Sequence, residues 1–141
     1  MKILIIDGMG GGIGKSIIEK LKAEKLKDKY IITAVGTNSI ATSAMLKAGA
    51  DFCATGENAV VYNADRTDCI IGAIGIAFAN SMHGEVSPKM SEAISSSPAH
   101  KILIPLDKLN VTIAGLPPAP VQTYIDEAIG HLLNFNQGVF C

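Results

Sequence analysis

Short aliphatic runs alternate with amphipathic stretches along this chain, a pattern typical of a parallel sheet covered by helices. We expect buried strands near residues 3–6, 30–35, 52–54, 69–76 and 102–104. Between these runs apolar residues recur every three or four positions, which predicts helices. The order of elements therefore predicts a single Rossmann-like α/β domain over residues 1–141, a three-layer sandwich whose ligand edge lies at the carboxyl ends of the strands.

The second helix and the end of the sheet can be predicted in more detail. Helical spacing places Ile40, Met45 and Ala48 on one inward face, and Gly49 should end that helix. Residues 111–114 form another apolar run, but residues 107–110 are too few for a crossover helix. We therefore expect this last strand to pair antiparallel, as an edge hairpin on a mostly parallel sheet.

A glycine-rich loop joins the first strand to the first helix. Backbone amides at a helix N-terminus favour an anion, and glycines let the backbone approach phosphate oxygens closely. A phosphate-bearing cofactor is therefore expected to contact this loop, although glycines that only permit tight packing remain an alternative. The candidate binding residues are Gly8, Gly10, Gly11, Gly12, Ile13, Gly14 and Lys15.

Two known glycine signatures partly match this loop. The spacing of Gly8, Gly12 and Gly14 resembles the cofactor loop of short-chain dehydrogenases, although Asp7 stands where that family usually has threonine. None of the three tyrosines is followed four residues later by lysine, so the catalytic pair of that family is absent. The standard dinucleotide fingerprint GxGxxG does not fit the loop.

The residues that follow the loop resemble a second signature, the P-loop of ATPases. Gly14-Lys15-Ser16 is similar to the end of that motif, but Met9 occupies the position of its first glycine. The best candidate for a magnesium-binding aspartate, Asp107, follows a proline inside its strand. ATP hydrolysis is therefore the weaker interpretation, behind binding of NAD(P) or another nucleotide.

Polar residues follow three further predicted strands and should converge with the glycine loop at one edge of the sheet. The second strand of a dinucleotide fold normally ends in an acidic residue that binds ribose, but here Thr37 and Asn38 follow it. This leaves NAD without its usual partner, while a neutral pair suits a ribose or a 2′-phosphate. The candidate ligand contacts in these loops are Thr37, Asn38, Thr55, Asn58 and Asn80.

Glu57, His83 and Glu85 are the titratable trio of the same loops. A carboxylate beside an imidazole can exchange protons near neutral pH, so an acid/base role is a hypothesis for these residues. The simpler interpretation is that all three are solvated surface groups. We expect Glu57 and His83 to approach each other across the mouth of the sheet, since both follow strand ends at the ligand edge.

Composition excludes several classes of function. The 12 basic residues balance 13 acidic ones without a concentrated basic patch, which argues against nucleic-acid or membrane-surface binding. The longest apolar run is too short to span a bilayer, and the three cysteines form no metal-binding pattern, so no metal is expected. We expect a cytoplasmic protein, and 48% hydrophobic residues indicate a homo-oligomer.

Several longer segments resemble a small bacterial family known as a domain of unknown function. The matching segments are residues 36–38, 41–50, 54–59, 79–82, 84–85 and 101–106, with Pro88 and Met90. The resemblance implies a Rossmann-like fold and supplies no activity. Three hypotheses therefore remain: a protein that binds a nucleotide or dinucleotide, a small enzyme acting on a phosphorylated substrate, and a ligand-sensing or assembly module without turnover.

Overall fold

The computed structural model describes residues 1–106 and 110–136, and in these ranges strands and helices alternate along the chain. The strands are β1 (Lys2–Asp7), β2 (Ile31–Gly36), β3 (Phe52–Thr55), β4 (Cys69–Ala73) and β5 (His100–Ile104). The helices are α1 (Gly12–Ala23), α2 (Ser39–Ala48), α3 (Glu57–Ala64), α4 (Pro88–Ser96) and α5 (Val121–Asn136), with short 3-10 helices at Lys27–Lys29 and Ile74–Ala77.

Within the described ranges the five strands form one sheet in the order β3-β2-β1-β4-β5, and every pairing is parallel. This is the strand order of a doubly wound Rossmann-type fold. The chain first builds outward from β1 to β3 and then returns to add β4 and β5 on the other side. The boundary between β1 and β4 is therefore the topological switch point.

The expected antiparallel hairpin at residues 111–114 is wrong. These residues carry no strand and are exposed, and Pro117, Pro118 and Pro120 follow them. Proline cannot donate a backbone hydrogen bond to a sheet, so this stretch runs as an extended connector to α5. Asp107, the candidate magnesium ligand, lies outside the described residues.

Helices cover both faces of the sheet and bury two apolar clusters. On one face α1, α2 and α5 pack on Ile3, Ile5 and Ile71. On the other face α3 and α4 pack on Leu4, Ile6 and Ile70. Alternate residues of each central strand thus point to opposite cores, which explains why β1 and β4 are apolar at almost every position.

Two predicted details of these elements need correction. Ile40 does not lie on the buried face of α2 but is 70% exposed, and Ala41 joins Met45 and Ala48 in the core instead. Strand β4 ends at Ala73 rather than at residue 76, because the chain turns there into a 3-10 helix. None of the helices in the described ranges has the length and apolar character needed to cross a membrane.

Candidate functional site

A cavity of about 640 Å³ lies at the switch point between β1 and β4. The glycine loop forms one wall, the residues after β4 form another, and the start of α5 closes the third side. Its polar lining includes Asp7, Ser16, Asn80, Ser81, His83 and Asn110. Its apolar lining includes Ile13, Met82, Leu106, Val121 and Ile125. Pockets of this size, mostly apolar with a few polar groups, are typical small-molecule sites.

Asp7 ends β1 and is buried under the glycine loop, with only 4% of its surface exposed. One carboxylate oxygen accepts a hydrogen bond from the Gly8 amide at 2.8 Å, and the other accepts one from the Gly14 amide at 2.7 Å. Burial raises the pKa of this carboxyl, while the backbone hydrogen bonds oppose that shift. The N-terminus of α1 therefore already holds a carboxyl group that belongs to the chain itself.

The glycines of the loop divide into two groups. A Cβ at Gly8 would lie 2.7 Å from the Thr37 hydroxyl oxygen, and one at Gly11, where φ is +75°, would lie 2.8 Å from the Ala41 backbone. A Cβ at Gly14 would meet the Met45 side chain. At Gly10 and Gly12, in contrast, a Cβ would meet nothing within 4 Å. Packing therefore explains three of the glycines, but not Gly10 and Gly12, which both line the cavity.

Residues 80–85, which we call the crossing segment, follow the 3-10 helix Ile74–Ala77 and lie across the start of the glycine loop. Asn80, Met82 and His83 all have positive φ angles, of 66°, 57° and 56°. Non-glycine residues rarely adopt this conformation, which stores about 1 kcal/mol of strain at each position. Hydrogen bonds within the segment hold it, including Asn80 N to Val86 O at 2.7 Å. Such strain is concentrated at functional sites in many proteins.

Glu85, at the end of the crossing segment, fastens this segment to the loop after β2. Its Oε1 atom accepts hydrogen bonds from the Thr37 hydroxyl, from Asn38 Nδ2 at 3.0 Å and from the Met9 amide at 3.2 Å. The hydrogen bond from Thr37 is the main reason that the pKa of Glu85 is lowered. Thr37 and Asn38, expected to contact a ligand, thus contact a carboxylate of their own chain.

The proposed acid/base trio is not gathered in one pocket. His83 lines the cavity and is exposed, while Glu85 contacts the end of β2. Glu57 begins α3, is exposed, and accepts a 2.6 Å hydrogen bond from Ser87, which caps α4. Of these three residues only His83 belongs to the lining of the cavity.

Of the other residues predicted to contact a ligand, some line the cavity and some do not. Gly8, Ile13 and Asn80 line the cavity with Gly10 and Gly12. Thr55 instead lies 2.7 Å from Thr42, hydroxyl to hydroxyl, and Asn58 is exposed on α3.

Lys15 lies on a different surface, an open groove of about 780 Å³ between α1 and α2. Its ammonium group is 3.9 Å from the Glu19 carboxylate, and both side chains are more than half exposed. The groove is larger than the cavity but runs along the outer surface of α1 and α2, and none of its lining residues belongs to a strand or to the glycine loop before α1. We therefore place the candidate site at the switch point.

The sequence reading missed several cavity residues. From the sequence, Asp7 is compared with the threonine of short-chain dehydrogenases but is assigned no role, although its carboxylate stands between a buried strand and the glycines. Ser16 enters only through the P-loop resemblance, two residues after Gly14. Leu106, Val121 and Ile125 come from the far end of the chain, and nothing local to them indicates the cavity.

The fold and the cavity define the class of this protein: a doubly wound, parallel α/β protein with a ligand-sized crevice at its switch point. No cluster of three or more metal-binding side chains occurs among residues 1–106 and 110–136.

The chain belongs to the family DUF3842, a domain of unknown function, whose model matches residues 2–137. It is also similar to a dodecameric FMN-dependent UbiX-like decarboxylase from Escherichia coli O157:H7. That similarity has a TM-score of 0.49 and 15% identity, over 99% of this chain and 77% of the other. No curated protein matches the sequence.

Proposed function

We propose that this protein binds a nucleotide or similar phosphate-bearing small molecule in the switch-point cavity. The observation that carries the proposal is the free space above Gly10 and Gly12, where a Cβ would touch nothing. Neither glycine is required by packing, and both face the cavity. An anionic group could approach their backbone there as closely as the absence of side chains allows.

The hydrogen bonds of the loop narrow the expected anion position. The Gly14 amide donates to Asp7, and the Gly11 amide donates to Gly8 O at 3.0 Å, so these two donors are taken. A phosphate would therefore use the outer amides of Gly10 and Gly12 rather than the whole loop. The Asp7 carboxylate is 4% exposed and accepts its hydrogen bonds from Gly8 and Gly14, not from Gly10 or Gly12.

The rest of the cavity suits the remainder of such a ligand. Ser16, Asn80 and His83 offer polar contacts near the proposed anion position. Met82, Leu106, Val121 and Ile125 provide an apolar wall for a ring. The cavity volume of about 640 Å³ falls within the range of about 300–1,000 Å³ common for small-molecule sites.

An enzymatic role is the second candidate, and His83 is the observation that favours it. His83 is a titratable side chain on a strained backbone at the cavity wall. An imidazole at this position could donate or accept a proton from a ligand in the cavity. Because Glu57 faces Ser87, this version of the hypothesis does not use Glu57.

The test begins with native mass spectrometry of freshly purified protein, to detect a retained ligand. Calorimetry with AMP, ATP, FMN, NAD and NADP then compares wild type with Gly12→Val and Lys15→Ala. We expect Gly12→Val to abolish binding, because its side chain fills the proposed anion position. Lys15→Ala should leave binding nearly unchanged, because Lys15 lies on the outer groove.

The proposal would be overturned by three results together. These are no retained ligand, no binding of any nucleotide in the panel, and no anion at Gly10 and Gly12 in crystals soaked with phosphate. Loss of binding in Lys15→Ala but not in Gly12→Val would move the site to the outer groove. Turnover of a bound ligand that disappears in His83→Ala would favour the enzymatic candidate over binding alone.

A further inference from the structure

The path from the cavity to the end of β2 is closed by the chain itself. In a dinucleotide-binding fold the pyrophosphate crosses the glycine loop, and the adenosine ribose reaches an acidic residue at the end of β2. Here Met82 and Glu85 of the crossing segment lie over Gly8, at the start of the glycine loop. A Cβ built on Gly8 would be 3.2 Å from Glu85 Oε1 and closer still to Met82 Sδ.

The Glu85 carboxylate lies at the end of β2, the end at which a dinucleotide fold binds its ribose. One oxygen of this group receives hydrogen bonds from three donors, the Met9 amide, the Thr37 hydroxyl and the Asn38 side-chain amide. Asn38 also donates to Met9 O at 2.9 Å and caps α2 by accepting from the Ala41 amide. The polar groups at the end of β2 are thus already engaged within the chain.

We infer that Glu85 is a specificity-determining residue that restricts the ligand to a single nucleotide by closing the β2 half of the crevice. The inference rests on the proposed function, since it names the class of molecule that the switch-point cavity takes. The ligand class is a mononucleotide or a smaller phosphate ester. A dinucleotide would contact the protein through only one of its two nucleotide halves.

The chemistry of Glu85 favours this exclusion for both forms of the dinucleotide. A ribose would have to replace the carboxylate as partner of three donors. A 2′-phosphate would also meet a negative charge, because the hydrogen bond from Thr37 lowers the pKa of Glu85 and keeps it ionised near neutral pH. NADP is therefore excluded at least as strongly as NAD.

The experiment measures the affinities of AMP, NMN and NAD for wild type, Glu85→Ala and Glu57→Ala by calorimetry. Glu57 is the matched control, because it also accepts a hydrogen bond from a hydroxyl but does so at Ser87. For wild type we expect NAD to bind no more than threefold tighter than the better of its two halves. In Glu85→Ala this ratio should rise at least tenfold, and in Glu57→Ala it should not change.

Each outcome decides the inference separately from the proposed function. A wild-type protein that binds NAD more than threefold tighter than the better of AMP and NMN overturns the inference but supports nucleotide binding. A ratio that rises less than tenfold in Glu85→Ala also overturns it, and circular dichroism shows whether that variant is folded. NAD binding to Glu85→Ala with no nucleotide bound by wild type overturns both the mononucleotide ligand and the proposed function. Absence of all binding, in every variant, overturns both.

Discussion

The Asp7 carboxylate accepts a 2.7 Å hydrogen bond from the Gly14 amide, in the first turn of α1. The two residues are seven positions apart, and the glycine loop between them wraps around the carboxylate. A negative charge at this end of a helix is stabilised by the helix dipole. Burial acts in the opposite direction and is the largest influence on the pKa of Asp7, which is raised above 3.8.

The raised pKa of Asp7 predicts a specific dependence of stability on pH. The folded chain keeps the Asp7 proton at pH values where the unfolded chain has lost it, so this contribution is present below about pH 4 and is lost as the pH rises through the folded pKa. The Asp7→Asn variant has no carboxyl at this position, so its stability does not fall in this way as the pH rises. Urea unfolding should therefore show the Asn variant gaining stability relative to wild type between pH 4 and pH 7.

Glu85 provides the opposite case in the same measurement. Its pKa is lowered, so its contribution is present at neutral pH and is lost as the pH falls through the folded pKa. Glu85→Gln lacks this contribution, so it should be less stable than wild type at neutral pH, and the difference should shrink as the pH falls below about 4.5. Variants of Asp7 and Glu85 that differ from wild type in the same direction with pH would contradict at least one of the two shifts.

Two adjacent glycines should respond in opposite ways to the same substitution. Gly11→Ala forces a side chain into a positive φ and against the Ala41 backbone, so we expect a loss of about 2–3 kcal/mol in the free energy of unfolding. Gly12→Ala meets open space and should change stability by less than about 0.5 kcal/mol. Thermal and urea unfolding of both variants check this. Equal losses would show that packing requires Gly12 as well.

The backbone of His83 is in the left-handed conformation, so the effect of losing its side chain can be separated from the effect of backbone strain by comparing two variants. Glycine adopts a φ of 56° readily and alanine does not. His83→Gly should therefore be more stable than His83→Ala by about 1 kcal/mol. If the two variants unfold at the same denaturant concentration, the crossing segment relaxes when its side chain is lost, and the strain is not stored there.

Self-association is expected at β3 rather than at the incorrectly predicted hairpin. Strand β3 is an edge of the sheet, and Phe52 is 63% exposed beside Ile31 and Tyr62. An edge strand without lysine or proline is open to pairing with a second copy. Sedimentation at about 20 μM should show an oligomer, a concentration that contacts of about 8 kcal/mol maintain. Phe52→Glu should give a monomer, while Ile40→Glu, on α2, should not.

That prediction has a clear opposite outcome. A wild-type protein that sediments as a monomer removes the expected homo-oligomer. Dissociation by Ile40→Glu but not by Phe52→Glu would move the interface to the outer surface of α2, where Ile40 is 70% exposed.

The parallel sheet was predictable because both faces of its central strands are buried. A run such as residues 3–6 is apolar at every position because both faces of its strand are buried. The helices between these runs connect the strands in parallel. The edges were less predictable. Residues 111–114 have the composition of a strand, but they are exposed and precede Pro117, Pro118 and Pro120, and they do not pair with the edge strand β5.

Only the part of the candidate site that is formed by residues close together in the sequence was predictable. The glycine loop carries its own signal, because a strand, glycines and a helix follow each other directly. Glu85 and Thr37 are separated by 48 positions, and their hydrogen bond depends on how the crossing segment turns through four positive φ angles, at Asn80, Met82, His83 and Gly84. No pattern in the sequence encodes that path. The trio of Glu57, His83 and Glu85 was grouped by strand order, which does not fix the direction of side chains.

The division of the glycines has a consequence for the evolution of the chain. Selection for a stable fold is sufficient to retain Gly8, Gly11 and Gly14, because a side chain at any of them would collide with the protein. Gly10 and Gly12 are exempt from that constraint and would drift to other residues within a few lineages if nothing bound there. Retention of both glycines in distant homologues would indicate that a ligand binds there. Replacement of both in one branch of the family would indicate that its members no longer bind that ligand.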